Sequence, residues 1–254
     1  MIDDNVLRQA QLIMLDMLRE FDTICQEHNL QYWLDSGTLL GAVRHSGFIP
    51  WDDDIDISMP LKDYMEFTSL IRANPNLLSK DIFFQDTKSD KTFPFDYMKL
   101  RSNRAKIVEF HEYNRDIEYH QGVFVDIFPM LSIKESRVSL WYYPKALMLI
   151  RFFSAKNIDI KFLRRFLIWS LDRLHQKEWQ EENKIIYSGK MPDVASVFDT
   201  KEVFPLEKIS FEGYEFFAPK NPKHYLENIY SFDFMQLPPK DKRVIHAKEM
   251  IIVR

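Results

Sequence analysis

Trp51-Asp52-Asp53-Asp54-Ile55-Asp56-Ile57-Ser58-Met59 decides how the chain is read: it sets four carboxylates within five residues and then alternates strictly. Two unit charges about 7 Å apart at an effective dielectric of about 20 repel by roughly 2 kcal/mol, so the run either stays wet or is offset by positive charge. From Asp54 onward polar and apolar residues alternate with the period of a half-buried strand, which puts Asp54 and Asp56 on one face and sends Ile55 and Ile57 into the core. Same-face neighbours stand roughly 6.5–7 Å apart. Oxygen ligands at that spacing suit hard cations, Mg²⁺ or Mn²⁺ rather than zinc. A solvated acidic turn is the plainer reading; the alternation, Trp51 and a glycine turn upstream weigh against it.

That upstream turn follows Tyr32-Trp33-Leu34-Asp35, a short strand, and breaks it at Ser36-Gly37 before Thr38-Leu39-Leu40-Gly41-Ala42-Val43-Arg44, which has helical spacing. Strand, Ser-Gly turn and helix start form an anion cradle, with backbone N–H groups and the helix dipole favouring a phosphate at Ser36, Gly37 and Thr38. Alone, such a tripeptide is an ordinary N-cap. A further carboxylate stands in Gly122-Val123-Phe124-Val125-Asp126-Ile127-Phe128-Pro129, which reads as a central strand. Buried without a partner, Asp126 would cost several kcal/mol, which a metal or a proton-transfer partner relieves; otherwise it caps a turn before Pro129. Lys99 and Arg101 share a strand face between the two acidic segments, placed either to neutralise phosphoryl oxygens or as plain exposed cations.

The stretch from Leu34-Asp35-Ser36-Gly37-Thr38 through Gly47-Phe48-Ile49-Pro50 to Trp51-Asp52-Asp53-Asp54-Ile55-Asp56-Ile57 resembles the signature of the LicD family of phosphocholine transferases, relatives of fukutin-type enzymes. That group is similar to the nucleotidyltransferase fold, in which a Gly-Ser-type turn opens a helix, one strand bears two acids and a later strand a third. Ser36-Gly37, Asp54 with Asp56, and Asp126 fill those places, and Leu237-Pro238-Pro239-Lys240-Asp241-Lys242-Arg243-Val244-Ile245-His246 resembles the family's closing segment.

The resemblance implies an α+β fold, a nucleotidyltransferase-like mixed sheet packed with helices. It implies transfer of phosphocholine from CDP-choline to a sugar hydroxyl of a cell-surface glycan, of the lipopolysaccharide or teichoic acid kind, or of its lipid-linked precursor, with release of CMP. Asp54 and Asp56 would bind Mg²⁺ (or Mn²⁺), and Asp126 would complete the metal site or act as base. Choline cannot donate a hydrogen bond, so an aromatic face must recognise it; Trp51 stands nearest, with Tyr32, Trp33 and Tyr97 as weaker candidates. Arg44 and His45 either face the nucleotide phosphates or cap their helix, and Arg243 and His246 would close over the nucleotide. Three alternatives stand beside this reading: a true nucleotidyltransferase, a transferase of ribitol, glycerol or ethanolamine phosphate, and a non-catalytic glycan- or metal-binding module.

Composition narrows the classes. At 254 residues and 46% hydrophobic content the chain has material for a sizeable core. A net charge of −4 supplies no basic face for nucleic acid. Cys25 is the only cysteine, which excludes an intrachain disulfide and a cysteine zinc site and fits a reducing cytoplasm. The acidic start Met1-Ile2-Asp3-Asp4 lacks a signal core, and no stretch has the apolar length of a membrane span.

Three segments follow: a catalytic core at 1–133, a helical basic-aromatic part at 134–200 and a C-terminal segment at 201–254 that completes the active site. Val6, Ala10, Ile13, Met14, Met17, Leu18, Phe21 and Ile24 mark a long amphipathic first helix, with both methionines as core. Pro60 stops the acidic strand and opens a helix over 61–71; strands are expected at 81–85, 95–101, 105–110 and 122–128. Residues 134–177 hold ten Lys or Arg against three Asp or Glu, interleaved with aromatics such as Trp141, Phe152 and Trp169. That composition fits either packed helices with a cationic outer face or an amphipathic surface lying on the inner leaflet of the membrane.

Overall fold

The computed structural model describes residues 2–95, 97–134, 175–176, 183–187, 197–230 and 233–253. Most of the expected basic-aromatic helices therefore lie outside the described residues. The first helix, α1 (Asp4–Glu27), starts where the Asp3 carboxylate accepts from the backbone N–H of Asn5 and Val6, and it buries Ala10, Met14, Leu18 and Phe21. Its apolar face lies on the two central strands, β4 (Met98–Glu109) and β5 (Gly122–Lys134).

Among the described residues one mixed sheet runs in the order β1 (Trp33–Leu34), β2 (Ile55–Pro60), β5, β4, β11 (Ala247–Ile252). β3 (Ile82–Gln85) pairs with β4; β6 (His175–Gln176) and β7 (Asn183–Tyr187) pair with β5; and β8 (Val197–Asp199) pairs with β7. Only β2 and β5 run parallel in these pairings, and β5 is accordingly a nearly unbroken apolar run buried on both faces. Strands from all three sequence segments share this sheet, and the described residues within 134–200 are mostly strand where helix was expected.

Helix α2 (Ser36–His45) leads from β1 to the loop before β2, and α3 (Leu61–Ala73) follows directly from Pro60. After β8 come the short helix α4 (Thr200–Val203), a separate hairpin of β9 (Glu207–Phe211) and β10 (Tyr214–Ala218), and α5 (Pro222–Tyr230). The mixture of helices and curled sheet is the α+β architecture expected.

Three differences have local causes. The strands expected at 95–101 and 105–110 are one strand, β4, whose register shifts between Arg101 and Lys106. β5 continues through Pro129 without turning. Pro129 pairs with Met59 on β2, while on the other side of β5 the strand β4 reaches no further than Ile127 and β7 joins only at Met130, so on that side no ladder partner needs its missing N–H. Asp126 thus lies inside a strand and caps no turn. The third difference is at α2, which begins at Ser36 in the left-handed region (φ 44°) under an Asp35 N-cap, two residues before the expected start.

Gly41 fixes how α2 meets the acidic loop. A Cβ there would stand 2.5 Å from the Gly47 carbonyl oxygen and 3.2 Å from the Ile49 nitrogen, both backbone atoms. Gly41→Ala is therefore expected to cost about 1–3 kcal/mol in denaturant unfolding; an unchanged midpoint would contradict this packing.

Candidate active site

A cavity of about 610 Å³ opens between α2, the acidic run and the tail, and it is lined by Gly37, Arg44, Trp51, Asp52, Asp54, Asp56, Tyr230 and residues 233–246 in part. The four aspartates of the run meet different surroundings. Asp53 points away from the cavity: its buried carboxylate accepts from the backbone N–H of Ala247 and, at 3.3 Å, of His246. It docks the first residue of β11, and so holds the tail against the cavity. Asp52 lies against the start of α2, where a Cβ on Gly37 would come 3.0 Å from its Oδ2.

Asp54 precedes β2 and Asp56 lies within it; both reach the cavity. Burial, then the Asp53 charge, pushes Asp54 up to about 7. Burial, then Asp54 and Asp126, raises Asp56 well above the carboxylate range. Asp56 and Asp126 are register partners on the parallel strands. Asp126 itself is paired, with Oδ1 2.7 Å from the Lys99 ammonium. Among the described residues two groups bring their ligand atoms within 4.8 Å of one another, Asp53, Asp54 and His246 at the cavity and Glu109, His111 and Glu112 at the end of β4; the trio Asp54, Asp56 and Asp126 does not gather in this way. His246 Nδ1 stands 3.3 Å from Asp53 and 3.5 Å from Asp54, and the bond to Asp53 raises the imidazole to about 9.

The other anticipated residues divide into cavity and framework. Arg44 lines the cavity while its Nη1 donates to the Phe234 and Gln236 carbonyls at 2.8 and 3.2 Å, clamping the tail. His45 Nε2 accepts from Arg44 Nε at 3.1 Å, and His45 is absent from the cavity wall. Trp51 is stacked by the Arg243 guanidinium, 4.0 Å from the ring centroid. Thr38 is buried, its hydroxyl accepting from Asp56 N–H at 2.8 Å, so it ties α2 to β2 and faces no ligand. Ser36 is nearly buried, and its N–H donates to Asp35 Oδ1 at 2.6 Å. Of the cradle, Gly37 alone borders the cavity.

Lys99 and Arg101 do share a face, both lying over the Phe124 ring. Neither is exposed: burial lowers the Lys99 ammonium against the pull of Asp126, and Arg101 donates to Gln85 Oε1 at 2.7 Å and the Gly122 carbonyl at 2.8 Å. Arg101 thus holds three strands together. Tyr32, Trp33 and Tyr97 are core residues, with the Tyr32 hydroxyl bonded to Asp22 and the Trp33 indole to Tyr225.

Two features escaped the sequence reading. Asp35 is fully buried and accepts from Ser36 N–H, the Ser58 hydroxyl and, at 2.8 Å, the Tyr187 hydroxyl, which joins α2, β2 and β7 at one carboxylate. Its place before Ser36 signalled a cap, but Tyr187 is 152 positions away. Tyr230, at the end of α5, faces the run: burial, then Asp56 and Asp52, raises its phenol.

Residues 29–148 match the LicD/FKTN/FKRP nucleotidyltransferase domain. That stretch of the chain carries a LicD-type domain. It is 26% identical over 273 residues, covering 97% of the chain and 98% of the relative, to the lipopolysaccharide cholinephosphotransferase LicD of Haemophilus influenzae. It is 45% identical over 40 residues, 16% of the chain and 8% of the relative, to human ribitol 5-phosphate transferase FKRP. Mannosyltransferase regulator 4 of Saccharomyces cerevisiae is 26% identical over 137 residues, 52% of the chain and 11% of the relative.

The raised carboxyls have a measurable consequence. Asp52, Asp54 and Asp56 hold protons in the folded chain that the unfolded chain releases, so each lowers stability as pH rises from about 4 toward 7. In chelator, Asp54→Asn should flatten that decline by up to about 1.4 kcal/mol per pH unit. Parallel curves for the variant and the parent would show that Asp54 is not so perturbed.

Proposed function

We propose that this chain transfers phosphocholine from CDP-choline to a sugar hydroxyl of a lipopolysaccharide-type glycan or its lipid-linked precursor, releasing CMP with Mg²⁺ or Mn²⁺ as cofactor. The observation that carries this is the cavity wall in which Asp54 and Asp56 stand with proton affinities raised by burial and mutual charge, one strand position from Asp126. The full-length similarity to a lipopolysaccharide cholinephosphotransferase supports the substrate.

The donor set fits a hard divalent ion: it is all oxygen, it borders a cavity and it carries excess negative charge. Asp54 and Asp56 would hold the ion, with Asp126 beside them. Bound there, it would neutralise the pyrophosphate and polarise the phosphorus under attack. The chain's own groups then position the donor. The start of α2 at Gly37 and the Arg44 guanidinium on the cavity wall, with Arg243 stacked on Trp51, supply positive potential to the phosphates. His246, cationic at neutral pH between Asp53 and Asp54, sits where a leaving CMP would gain negative charge. Asp126, the register partner of Asp56 and ion-paired with Lys99, would be the base toward the acceptor hydroxyl.

Arg243 covers one face of Trp51, so a trimethylammonium finds its aromatic contact in the other face and in Tyr230. Short similarity to a ribitol 5-phosphate transferase keeps other CDP-alcohols as the second reading. Product analysis separates them, and pyrophosphate release would instead indicate nucleotidyl transfer.

Asp54→Asn and Asp56→Asn should each cut CMP release from CDP-choline by about 10²-fold or more. Full activity in both would overturn the metal assignment. Melting temperature should rise most when Mg²⁺ and CDP-choline are added together. Tyr230→Ala should raise the CDP-choline KM several-fold while leaving CMP affinity nearly unchanged, and an equal loss for both ligands would show that Tyr230 only packs.

A further inference from the structure

Among the described residues eleven large hydrophobic side chains are exposed; Tyr230, Leu237 and Val244 belong to the cavity wall, Met235 lies on the same tail, and Phe110 and Tyr113 are joined to that tail through the His246 carbonyl and Lys248. Leu237 (57% exposed) and Val244 (65%) face outward as well. Met235 sits between Phe234 and Gln236, whose carbonyls Arg44 clamps. Phe110 (60% exposed) is fixed beside the mouth because its N–H donates to the His246 carbonyl at 2.9 Å. Such concentration is unusual on a soluble surface, where exposed hydrophobics are scattered singly.

Positive charge is interleaved with them. Residues 234–250 contain Lys240, Lys242, Arg243 and Lys248 against Asp241 and Glu249. The Lys248 ammonium lies 5.6 Å from the Phe110 ring centroid and 5.0 Å from that of Tyr113, so aromatic and cationic groups share one patch. The site's own carboxylates are recessed, with the Asp54 side chain 16% and that of Asp53 1% exposed. An apolar surface studded with cations around a recessed acidic cavity complements one occupant above others, the headgroup and upper acyl region of an anionic bilayer.

We propose that the rim formed by 235–248 and the 110–113 turn docks the cavity mouth onto an anionic lipid surface. This deepens the reading of the acceptor as a lipid-linked glycan, since an acceptor hydroxyl carried at the headgroup level would then face Asp54 and Asp56 without leaving the membrane.

The test reads binding and not turnover, so its failure is distinguishable from failure of the transferase reading. The full chain is floated with phosphatidylcholine vesicles with and without phosphatidylglycerol at physiological ionic strength. Wild type should float with the anionic vesicles and far less with the neutral ones. Leu237→Glu with Val244→Glu, and separately Lys240→Glu with Lys242→Glu, should each weaken partitioning at least about tenfold. Phe110→Ser, which lies outside the cavity wall, should weaken it measurably and keeps the test valid if a tail variant misfolds. Three results would overturn the proposal: wild type that floats with neither vesicle, variants that float as well as wild type, or an apolar rim that proves to join two copies of the chain in lipid-free sedimentation.

Discussion

Four carboxylates forced into five residues at the edge of a buried strand are the constraint around which this chain is arranged. Left together in a low dielectric they would repel by several kcal/mol, and the fold resolves this by giving each a different neighbour. Asp53 turns to the backbone N–H groups of the tail. Asp54 gains His246, and Asp52 lies at the positive end of α2. Asp56 has no ion pair among the described contacts, and the charges of Asp54 and Asp126 add to its burial.

This resolution explains why a C-terminal segment 190 to 194 positions away in sequence forms part of the site. The tail supplies the donors that Asp53 needs, it brings the imidazole of His246 to Asp54, and Arg44 holds its carbonyls from the other side. β11 then closes the sheet edge on β4. Cavity and sheet edge are thus one construction, and loosening the tail opens both. Asp35 does the same work at the opposite wall, where a single buried carboxylate joins α2, β2 and β7.

Local patterns made much of this legible. Period-two alternation located β2, the three-four spacing located α1, and the Ser-Gly break located α2 to within two residues. The same alternation put Asp54 and Asp56 on the cavity side of the strand and Ile55 and Ile57 in the core. Less could be read where distant partners decide. Whether Lys99 and Arg101 face solvent or carboxylates depends on the antiparallel pairing of β4 with β5, which sets Lys99 opposite Asp126. Asp53 resembles Asp54 in sequence, and only the docking of β11 distinguishes them. Trp51 reads as an open aromatic face until Arg243 is placed on it. Tyr230 carries no local signal, because its position follows from how α5 packs on α2.

The most direct measurement is the anomalous scattering of Mn²⁺ in crystals grown with CDP-choline. The account predicts a peak between the carboxylates of Asp54 and Asp56 on the cavity side of β2. A peak seated instead on Asp53 and His246, or a nucleotide bound with no peak at the acid pair, would contradict it.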